Sequence, residues 1–145
     1  MERIVLDTNV VVMSISPKSH YRKIWDDFLG GKYQLCISNE IVEEYSEILS
    51  RNISPVVSDY IVNAILTRDN VVFVEPHFRC RLIEADPDDN KFVDCAFACG
   101  ARFIVSEDHH FDILYSIPFP KIDVIKINDF LNYLSRQGAS FLHTR

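Results

Sequence analysis

Short apolar runs rich in β-branched residues recur along the chain, separated by longer segments in which apolar residues repeat with the helical period. We interpret the short apolar runs as β-strands, because their length and composition are typical of buried strands. The predicted strands are Ile4–Leu6, Tyr33–Ile37, Val71–Val74, Phe103–Val105 and Ile122–Ile127. The intervening segments predict helices over residues 18–29, 39–51, 56–68, 88–99 and 129–136.

This alternation of strands and helices predicts crossover connections, and therefore a parallel sheet covered by helices on both faces. We expect an α/β fold: a three-layer α/β/α sandwich around a central, mainly parallel sheet of four to five strands. With 145 residues and no internal repeat, the chain is expected to form a single domain over 1–145. Its core is expected at about 3–136, followed by a C-terminal tail at 137–145. Gly100 stands where the helix at 88–99 should end.

Composition and charge narrow the class of protein. Hydrophobic residues make up 48% of the chain and charged residues 25%, which excludes a disordered or low-complexity protein. Twenty-one acidic residues against 15 basic ones give a net charge of −6, which argues against a broad basic surface for nucleic acid. If the protein acts on phosphate groups, positive charge must come from another source.

The sequence also bears on location. The apolar runs fall far short of the ~20 residues needed to cross a bilayer, and no basic segment followed by an apolar stretch precedes the first strand. We therefore expect a cytoplasmic protein without a membrane span. In a reducing compartment, free thiols are the expected state of the cysteines. These are Cys36, Cys80, Cys95 and Cys99.

Carboxylates follow two of the predicted strands directly. In an open parallel sheet, ligands bind in the crevice outside the carboxyl ends of the strands. Asp7 comes immediately after the first strand, although a single Asp at that position is more often a turn or cap residue. After the fourth strand comes a segment that contains Glu107, Asp108 and Asp112. These two segments place acidic side chains at one edge of the sheet.

A third carboxylate lies on the helix predicted at 39–51. Of the four glutamates on this helix, Glu44 alone borders the apolar stripe when the residues are plotted at 100° intervals. The other three, Glu40, Glu43 and Glu47, fall on the solvated face. Glu44 is therefore the glutamate of this helix that is best placed to face the crevice.

A fourth carboxylate lies at the start of the helix predicted at 88–99. Asp86, Asp88 and Asp89 could all serve the helix N-terminus as a cap or as charges facing the helix dipole. However, Asp89 is in register with the apolar side of the helix, whereas Asp88 and Asp94 point away from it. An inward-facing carboxylate is costly unless it is paired or bound to a cation.

Several carboxylates at one edge of a sheet repel one another strongly unless a divalent cation lies among them. Oxygen ligands favour Mg²⁺ or Mn²⁺ over zinc. A zinc site would have to use Cys95, Cys99, His109 or His110, but the chain lacks paired CxxC or HExxH motifs. We interpret the two cysteines as buried core residues and the two histidines as loop residues near the site, one of which could carry a proton.

Three segments together resemble the PIN-domain family, and in particular its small, single-domain, VapC-like members from prokaryotic toxin–antitoxin systems. The segments are IVLDTNVVV at 4–12, ISNEIVEEYSEILSR at 37–51 and DPDDNKFVDCAFACGARFIVSEDHHF at 86–111. The resemblance extends from about Arg3 to Leu134. The order and combination of the three segments are specific, whereas the DTN motif alone would be a weak signal.

The resemblance implies a set of site residues. It assigns both catalysis and the binding of Mg²⁺ or Mn²⁺ to four acids, Asp7, Glu44, Asp89 and Asp108. It assigns supporting hydrogen bonds to three small polar residues, Thr8, Asn9 and Ser106. The chain departs from the family at Glu107, where a small residue is more usual, and at His109 and His110, where Lys or Arg is usually followed by an acid. The sequence leaves open whether Asp94 or Asp112 adds a water-mediated ligand, and whether one or two ions bind.

The resemblance also implies a function: a metal-dependent endoribonuclease that hydrolyses RNA phosphodiester bonds and acts as the toxin of a toxin–antitoxin pair. The implied partners are an RNA substrate, a cognate antitoxin and further copies of the chain in a homodimer or higher homo-oligomer. Two alternatives remain at this stage, a non-catalytic PIN-like interaction module and a nuclease of RNA processing. An aspartyl-phosphate enzyme is disfavoured because Asn9 stands where such enzymes need a second acid.

Overall fold

The computed structural model describes residues 1–77, 79–84, 86–118 and 120–143. These residues contain a five-stranded sheet and helices that follow the strands. The strands are β1 (Arg3–Leu6), β2 (Gln34–Ile37), β3 (Val71–Phe73), β4 (Phe103–Val105) and β5 (Val124–Ile125). The α-helices are α1 (Thr8–Ser14), α2 (Arg22–Leu29), α3 (Asn39–Asn52), α4 (Pro55–Thr67), α5 (Asn90–Cys99) and α6 (Ile127–His143). Two 3₁₀ helices lie at Pro87–Asp89 and His109–Ser116.

The strand order is β3-β2-β1-β4-β5, and every neighbouring pair is parallel. The predicted α/β fold with a central parallel sheet is therefore confirmed. Strands β2 and β3 extend the sheet on one side of β1, whereas β4 and β5 extend it on the other. After β3, the chain returns to the other side of β1 and adds β4 there. Such a switch in direction opens a crevice between β1 and β4, at the carboxyl ends of the two strands.

The centre of the sheet is buried on both faces. Successive strand residues point to opposite faces, and Ile4, Val5 and Leu6 of β1 are all buried. Helix α5 packs against β1, β2 and β4, while α3 packs against α1 and α4. Burial of consecutive strand residues is the mark of a sheet enclosed between two layers of helices.

The aromatic residues of the second helix belong to this core. Trp25 and Phe28 are almost completely buried, and Leu29 packs against the core. Their side chains therefore serve packing within the chain. Cys36, Cys95 and Cys99 are likewise buried, as expected for core thiols. None of the helices in the described residues is long and apolar enough to cross a membrane.

Helix α2 and strand β5 are shorter than predicted, at Arg22–Leu29 instead of 18–29 and at Val124–Ile125 instead of Ile122–Ile127. The structure differs from the predicted elements in three further places. Helix α1 begins at Thr8, directly after the first strand, where no helix was predicted. The 3₁₀ helix at His109–Ser116 was also missed. Helix α6 covers Ile127–His143 and therefore continues into the residues that were expected to form a tail.

Candidate metal centre

Asp7 lies between the last residue of β1, Leu6, and the first residue of α1, Thr8, so the carboxyl end of a strand and the N-terminus of a helix meet at this residue. Its backbone N–H donates to the carbonyl oxygen of Val105 at the end of β4 (3.0 Å), which fixes the two strand ends beside each other. Asp7 occupies the N-cap position of α1, but among the described residues its side chain makes no capping hydrogen bond. The buried carboxylate of Asp7 is thus available to the crevice.

Ser106 connects the two halves of the site. Its hydroxyl donates to Asp7 Oδ2 (2.7 Å) and accepts a hydrogen bond from the backbone N–H of Asp108 (3.0 Å). Asp108 in turn caps the 3₁₀ helix that follows, since its Oδ1 accepts from the backbone N–H of His110 (2.9 Å). This fully buried serine therefore holds Asp7 and Asp108 in a fixed relation.

Glu44 reaches the site from α3. Its Oε2 accepts a hydrogen bond from the hydroxyl of Thr8, and its Oε1 lies 2.7 Å from Lys91 Nζ. The side chain of Lys91 is only 10% exposed, and it also lies 3.4 Å from Asp88. Burial by itself would lower the pKa of Lys91, but the hydrogen bond and the charge of Glu44 raise it above its ordinary value. The Lys91 ammonium thus neutralises Glu44.

Asp89 is the last residue of the short 3₁₀ helix Pro87–Asp89. Asp86 caps the start of this helix, because its side chain accepts a hydrogen bond from the backbone N–H of Asp88 (3.2 Å). The side chain of Asp89 is 14% exposed. Its Oδ2 is buried and has no hydrogen-bond partner within the part of the chain that the structure describes. The pKa of Asp89 is raised to about 7, by burial first and then by the charges of Asp86, Asp108 and Asp7, against a smaller lowering effect of His110.

The carboxylates of the site act on one another electrostatically. Burial raises the pKa of Asp7, and the charges of Glu44 and Asp108 add to that effect, whereas hydrogen bonds from the Ser106 hydroxyl and the Thr8 backbone N–H lower the pKa. Asp7 and Asp108 also raise the pKa of Asp89. Each of the four acids therefore lies close enough to at least one of the others for their charges to repel. Such repulsion is relieved when a divalent cation binds among the carboxylates.

His110 lies among three of the carboxylates of the site. Its Nδ1 is 3.3 Å from Asp108 Oδ1, 3.5 Å from Asp89 Oδ2 and 3.9 Å from Asp86 Oδ2. Two groups of side chains in the described residues have ligand atoms close enough together to hold a cation. One consists of Asp86, Asp89 and His110, and the other of Asp108, His109 and His110.

Neither of these groups includes Asp7 or Glu44, whose oxygens are held by Ser106, Thr8 and Lys91. The sequence predicts the two histidines near the site but does not indicate Asp86 and His110 as ligands of the same cation as the carboxylates. The pair of histidines directly after the acid that follows β4 indicates His110 as a residue near the site, but it does not indicate the contact with Asp86. The donor set is mostly carboxylate oxygen and contains a buried oxygen without a partner. It therefore fits a divalent cation such as Mg²⁺ or Mn²⁺.

Comparisons with known proteins identify the family of the chain. A family model described as the PIN domain matches residues 3–110. The chain belongs to the PIN-domain family. A comparison with curated proteins finds no match.

This PIN domain is also similar in fold to chains in several solved structures. One is in the structure of VapBC2 from Rickettsia felis bound to a DNA fragment from their promoter, with 14% identity, a TM-score of 0.57, and coverage of 86% of this chain and 98% of that one. Another is in DNA-bound VapBC from Salmonella typhimurium, with 18% identity, a TM-score of 0.56, and coverage of 88% and 99%. The RRP44 PIN domain of T. brucei matches with 12% identity, a TM-score of 0.52, and coverage of 99% and 86%.

Other polar residues considered for the PIN-domain site lie elsewhere. Asp94 is buried, accepts a hydrogen bond from the backbone N–H of Cys80 (2.8 Å) and lies 3.5 Å from Arg79. The prediction that Asp94 points away from the packed side of its helix was therefore wrong. Asp112 is exposed and lies 3.8 Å from Lys126. Asn9 is exposed on α1 and, within the described ranges, forms no side-chain hydrogen bond with Asp7.

Proposed function

We propose that this PIN domain is a divalent-metal-dependent endoribonuclease in which Asp7, Glu44, Asp89 and Asp108 hold Mg²⁺ or Mn²⁺. The observation that carries the proposal is the buried, unpartnered Oδ2 of Asp89 among like charges, at the crevice where β1 and β4 end. An unpaired buried carboxylate oxygen is expensive, and a bound cation would offset that cost. When bound, such a cation polarises a phosphate oxygen and lowers the pKa of a coordinated water.

The residues around the four acids hold the carboxylates in place. Ser106 fixes Asp7 and, through its hydrogen bond with the backbone N–H of Asp108, the start of the loop after β4. Thr8 and Lys91 orient the two oxygens of Glu44. These contacts fix the positions of the Asp7 and Glu44 carboxylates before the cation and the phosphate arrive. Asn9 is exposed near Asp7, and we propose that it contacts either the substrate or, once the substrate is bound, Asp7.

An RNA strand would approach over a cleft next to these acids. The cleft has a volume of about 640 Å³. Its charged lining consists of three basic side chains, Arg79, Arg81 and Lys91, and four acidic ones, Glu40, Glu84, Asp88 and Asp94. Arginine and lysine side chains bind phosphate oxygens and position a nucleic acid without reading its sequence. The mixture of charges in the cleft agrees with modest RNA affinity that depends on the cation.

The likeness in fold to chains of VapBC complexes supports a role as the toxin of a toxin–antitoxin pair, acting in the cytoplasm. In that role the partners are an RNA substrate, a cognate antitoxin and further copies of the chain in a homodimer or higher homo-oligomer. A nuclease of RNA processing would use the same chemistry. The two roles differ in their targets, so a map of the cut sites separates them.

The test is incubation of the purified protein with a mixed RNA pool in Mg²⁺, in Mn²⁺ and in chelator, followed by sequencing of the cut ends. We expect cleavage with a divalent cation and none in chelator. Asp7→Asn and Asp108→Asn should abolish cleavage and keep the fold. Asp112→Asn is the matched control, because Asp112 lies in the same segment but is exposed. If the wild-type protein leaves the pool intact in both metals, a non-catalytic interaction module becomes the better interpretation.

A further inference from the structure

His110 is placed unlike an ordinary loop histidine. Its Nδ1 is buried and, among the described residues, makes no hydrogen bond. The same is true of Asp89 Oδ2, which lies 3.5 Å away. An imidazole nitrogen and a carboxylate oxygen thus face each other without a hydrogen bond. A buried polar atom without a partner costs free energy, so a pair of them points to a missing group that would bind both.

The surroundings of His110 Nδ1 are rich in potential ligands. Carboxylate oxygens of Asp108, Asp89 and Asp86 lie between 3.3 and 3.9 Å from it. A neutral imidazole with its proton on Nε2 offers a lone pair at Nδ1. A small cation between these atoms would receive one nitrogen ligand and several oxygen ligands.

Ligand type decides which cation such a site prefers. Mg²⁺ is bound almost entirely by oxygen and releases its water reluctantly, whereas imidazole is a good ligand for transition metals. Mn²⁺ accepts carboxylate oxygens as readily as Mg²⁺ does and also accepts an imidazole nitrogen. One imidazole among several carboxylates therefore favours Mn²⁺ without turning the centre into a zinc site.

We propose that His110, through Nδ1, is a metal ligand of this PIN domain together with Asp86, Asp89 and Asp108, and that it makes the centre select Mn²⁺ over Mg²⁺. This inference rests on the proposed function, because it concerns the cation that the nuclease would use. It extends that proposal to two residues, Asp86 and His110, and to the choice of metal.

The chain contains a matched control in the neighbouring residue. His109 Nδ1 also lies 3.9 Å from Asp108 Oδ1, but the side chain of His109 is 83% exposed. The His109→Ala variant also loses an imidazole next to Asp108, but it leaves the contacts among His110, Asp89 and Asp86 in place. If only the charge of a histidine mattered, His109→Ala and His110→Ala would weaken Mn²⁺ binding equally. If His110 is a ligand, only His110→Ala weakens it.

The experiment measures metal binding directly and does not depend on cleavage. The metal-free full chain is titrated with Mn²⁺ and with Mg²⁺ by calorimetry, and the Mn²⁺ complex is examined by pulsed electron paramagnetic resonance for coupling to a histidine ¹⁴N nucleus. We expect tighter binding of Mn²⁺ than of Mg²⁺ and a ¹⁴N coupling in the wild type and in His109→Ala. In His110→Ala the coupling should vanish and Mn²⁺ affinity should fall about tenfold or more.

A second variant keeps the proposal testable if His110→Ala loses its fold. His110→Asp supplies an oxygen in place of the nitrogen, so it should bind both metals and lose most of the preference for Mn²⁺. A wild-type Mn²⁺ complex without ¹⁴N coupling would overturn the proposed ligand, and would favour His110 as a protonated counter-ion of the acids. If the wild type binds neither metal, the metal-dependent function itself fails.

Discussion

Asp89 is the residue whose ionisation affects the stability of the metal-free protein most clearly. Its pKa rises from an ordinary value of 3.8 to about 7, because of burial first and of the neighbouring Asp86, Asp108 and Asp7 charges second. The folded state therefore binds the proton more tightly than the unfolded state does. As the pH rises from 3.8 to about 7, the free energy of unfolding falls, and above that range the loss is complete.

We predict that Asp89→Asn removes this loss. In chelator, the variant should melt at a higher temperature than the wild type at pH 8, and the difference should shrink towards pH 4. The measurement is a series of thermal unfolding curves across that range. Asp112→Asn, at an exposed position beside Lys126, should leave the pH profile unchanged. An Asp89→Asn variant that is less stable than the wild type at pH 8 would contradict the clustered-carboxylate structure.

Lys91 is the internal cation of the site. Lys91→Met keeps most of the apolar side chain but leaves Glu44 Oε1 without its partner at 2.7 Å. We expect the free energy of unfolding in chelator to fall by about 1.5–3 kcal/mol, the range for a hydrogen bond between charged groups. The measurement is denaturant unfolding at neutral pH.

The control for Lys91 is Lys23→Met. Lys23 lies 3.0 Å from Asp27, but its side chain is 43% exposed. Exposed ion pairs contribute only about 0–1 kcal/mol. Equal losses in the two variants would mean that the Lys91–Glu44 pair is no more important than a surface pair.

At the scale of elements, Gly100 ends helix α5 with φ +65° and ψ +43°, the left-handed conformation predicted from its position in the sequence. A Cβ atom added there would meet nothing within 4 Å, so the cost of a side chain lies in the backbone alone. Gly100→Ala should therefore lower the free energy of unfolding by about 1–2 kcal/mol. Gly100→Asn should lose less, because Asn tolerates this conformation better.

Chemical denaturation of the Gly100 variants measures the effect. Gly30→Ala is the control, since Gly30 has φ −80°, and a Cβ atom there lies at an ordinary contact distance of 3.4 Å from the Asp26 carbonyl oxygen. A larger loss in Gly30→Ala than in Gly100→Ala would show that backbone conformation does not dominate at the end of α5.

The elements that the sequence predicted are those in which apolar residues repeat regularly or in which a capping residue, Pro or Gly marks an end. Helix α4, for example, begins with Ser54 as its cap and Pro55 at its first position, and the Ser54 side chain accepts the Val57 N–H at 3.1 Å. Helix α1 could not be predicted in this way. Its valines are β-branched, favour strands and continue the apolar run of β1, so tertiary packing decides its conformation.

Asp94 shows a second limit of prediction from periodicity. The helical wheel places an acidic residue outside the apolar stripe in solvent, but α5 is buried at Phe92, Val93, Asp94 and Cys95 in succession. A helix enclosed on most sides has no solvent face to assign. Asp94 instead bonds to the Cys80 backbone and pairs with Arg79, both of which precede the helix in a segment without regular structure.

At the scale of the whole molecule, four of the 21 acidic residues repel one another near the carboxyl ends of β1 and β4. Their positions could be predicted because strand ends of a parallel sheet share one edge, and because Glu44 and Asp89 lie on packed sides of their helices. The role of His110 could not be predicted. It depends on how the turn that starts at Asp86 folds against the turn after β4, and no local pattern encodes that contact.

The net charge of −6 also predicts how RNA cleavage responds to salt. The few basic groups near the site must attract phosphate against a negative molecule, so screening should weaken binding of RNA more than it affects the fold. We expect the cleavage rate at low RNA concentration to fall as salt rises from about 50 to 200 mM. The thermal midpoint, measured in parallel, should change little. A rate independent of salt would argue against phosphate contacts by Arg79 and Arg81.

The central claim is that the carboxylates at the ends of β1 and β4 hold a divalent cation that the chain needs to cut RNA. Its most direct test is the cleavage rate of one RNA substrate as Mn²⁺ is titrated into metal-free protein, for the wild type, Asp108→Asn and Asp112→Asn. We predict a rate that rises from zero to saturation in the wild type and in Asp112→Asn, and no cleavage by Asp108→Asn. Cleavage by the wild type in chelator, or an Asp108→Asn curve equal to that of the wild type, would contradict the claim.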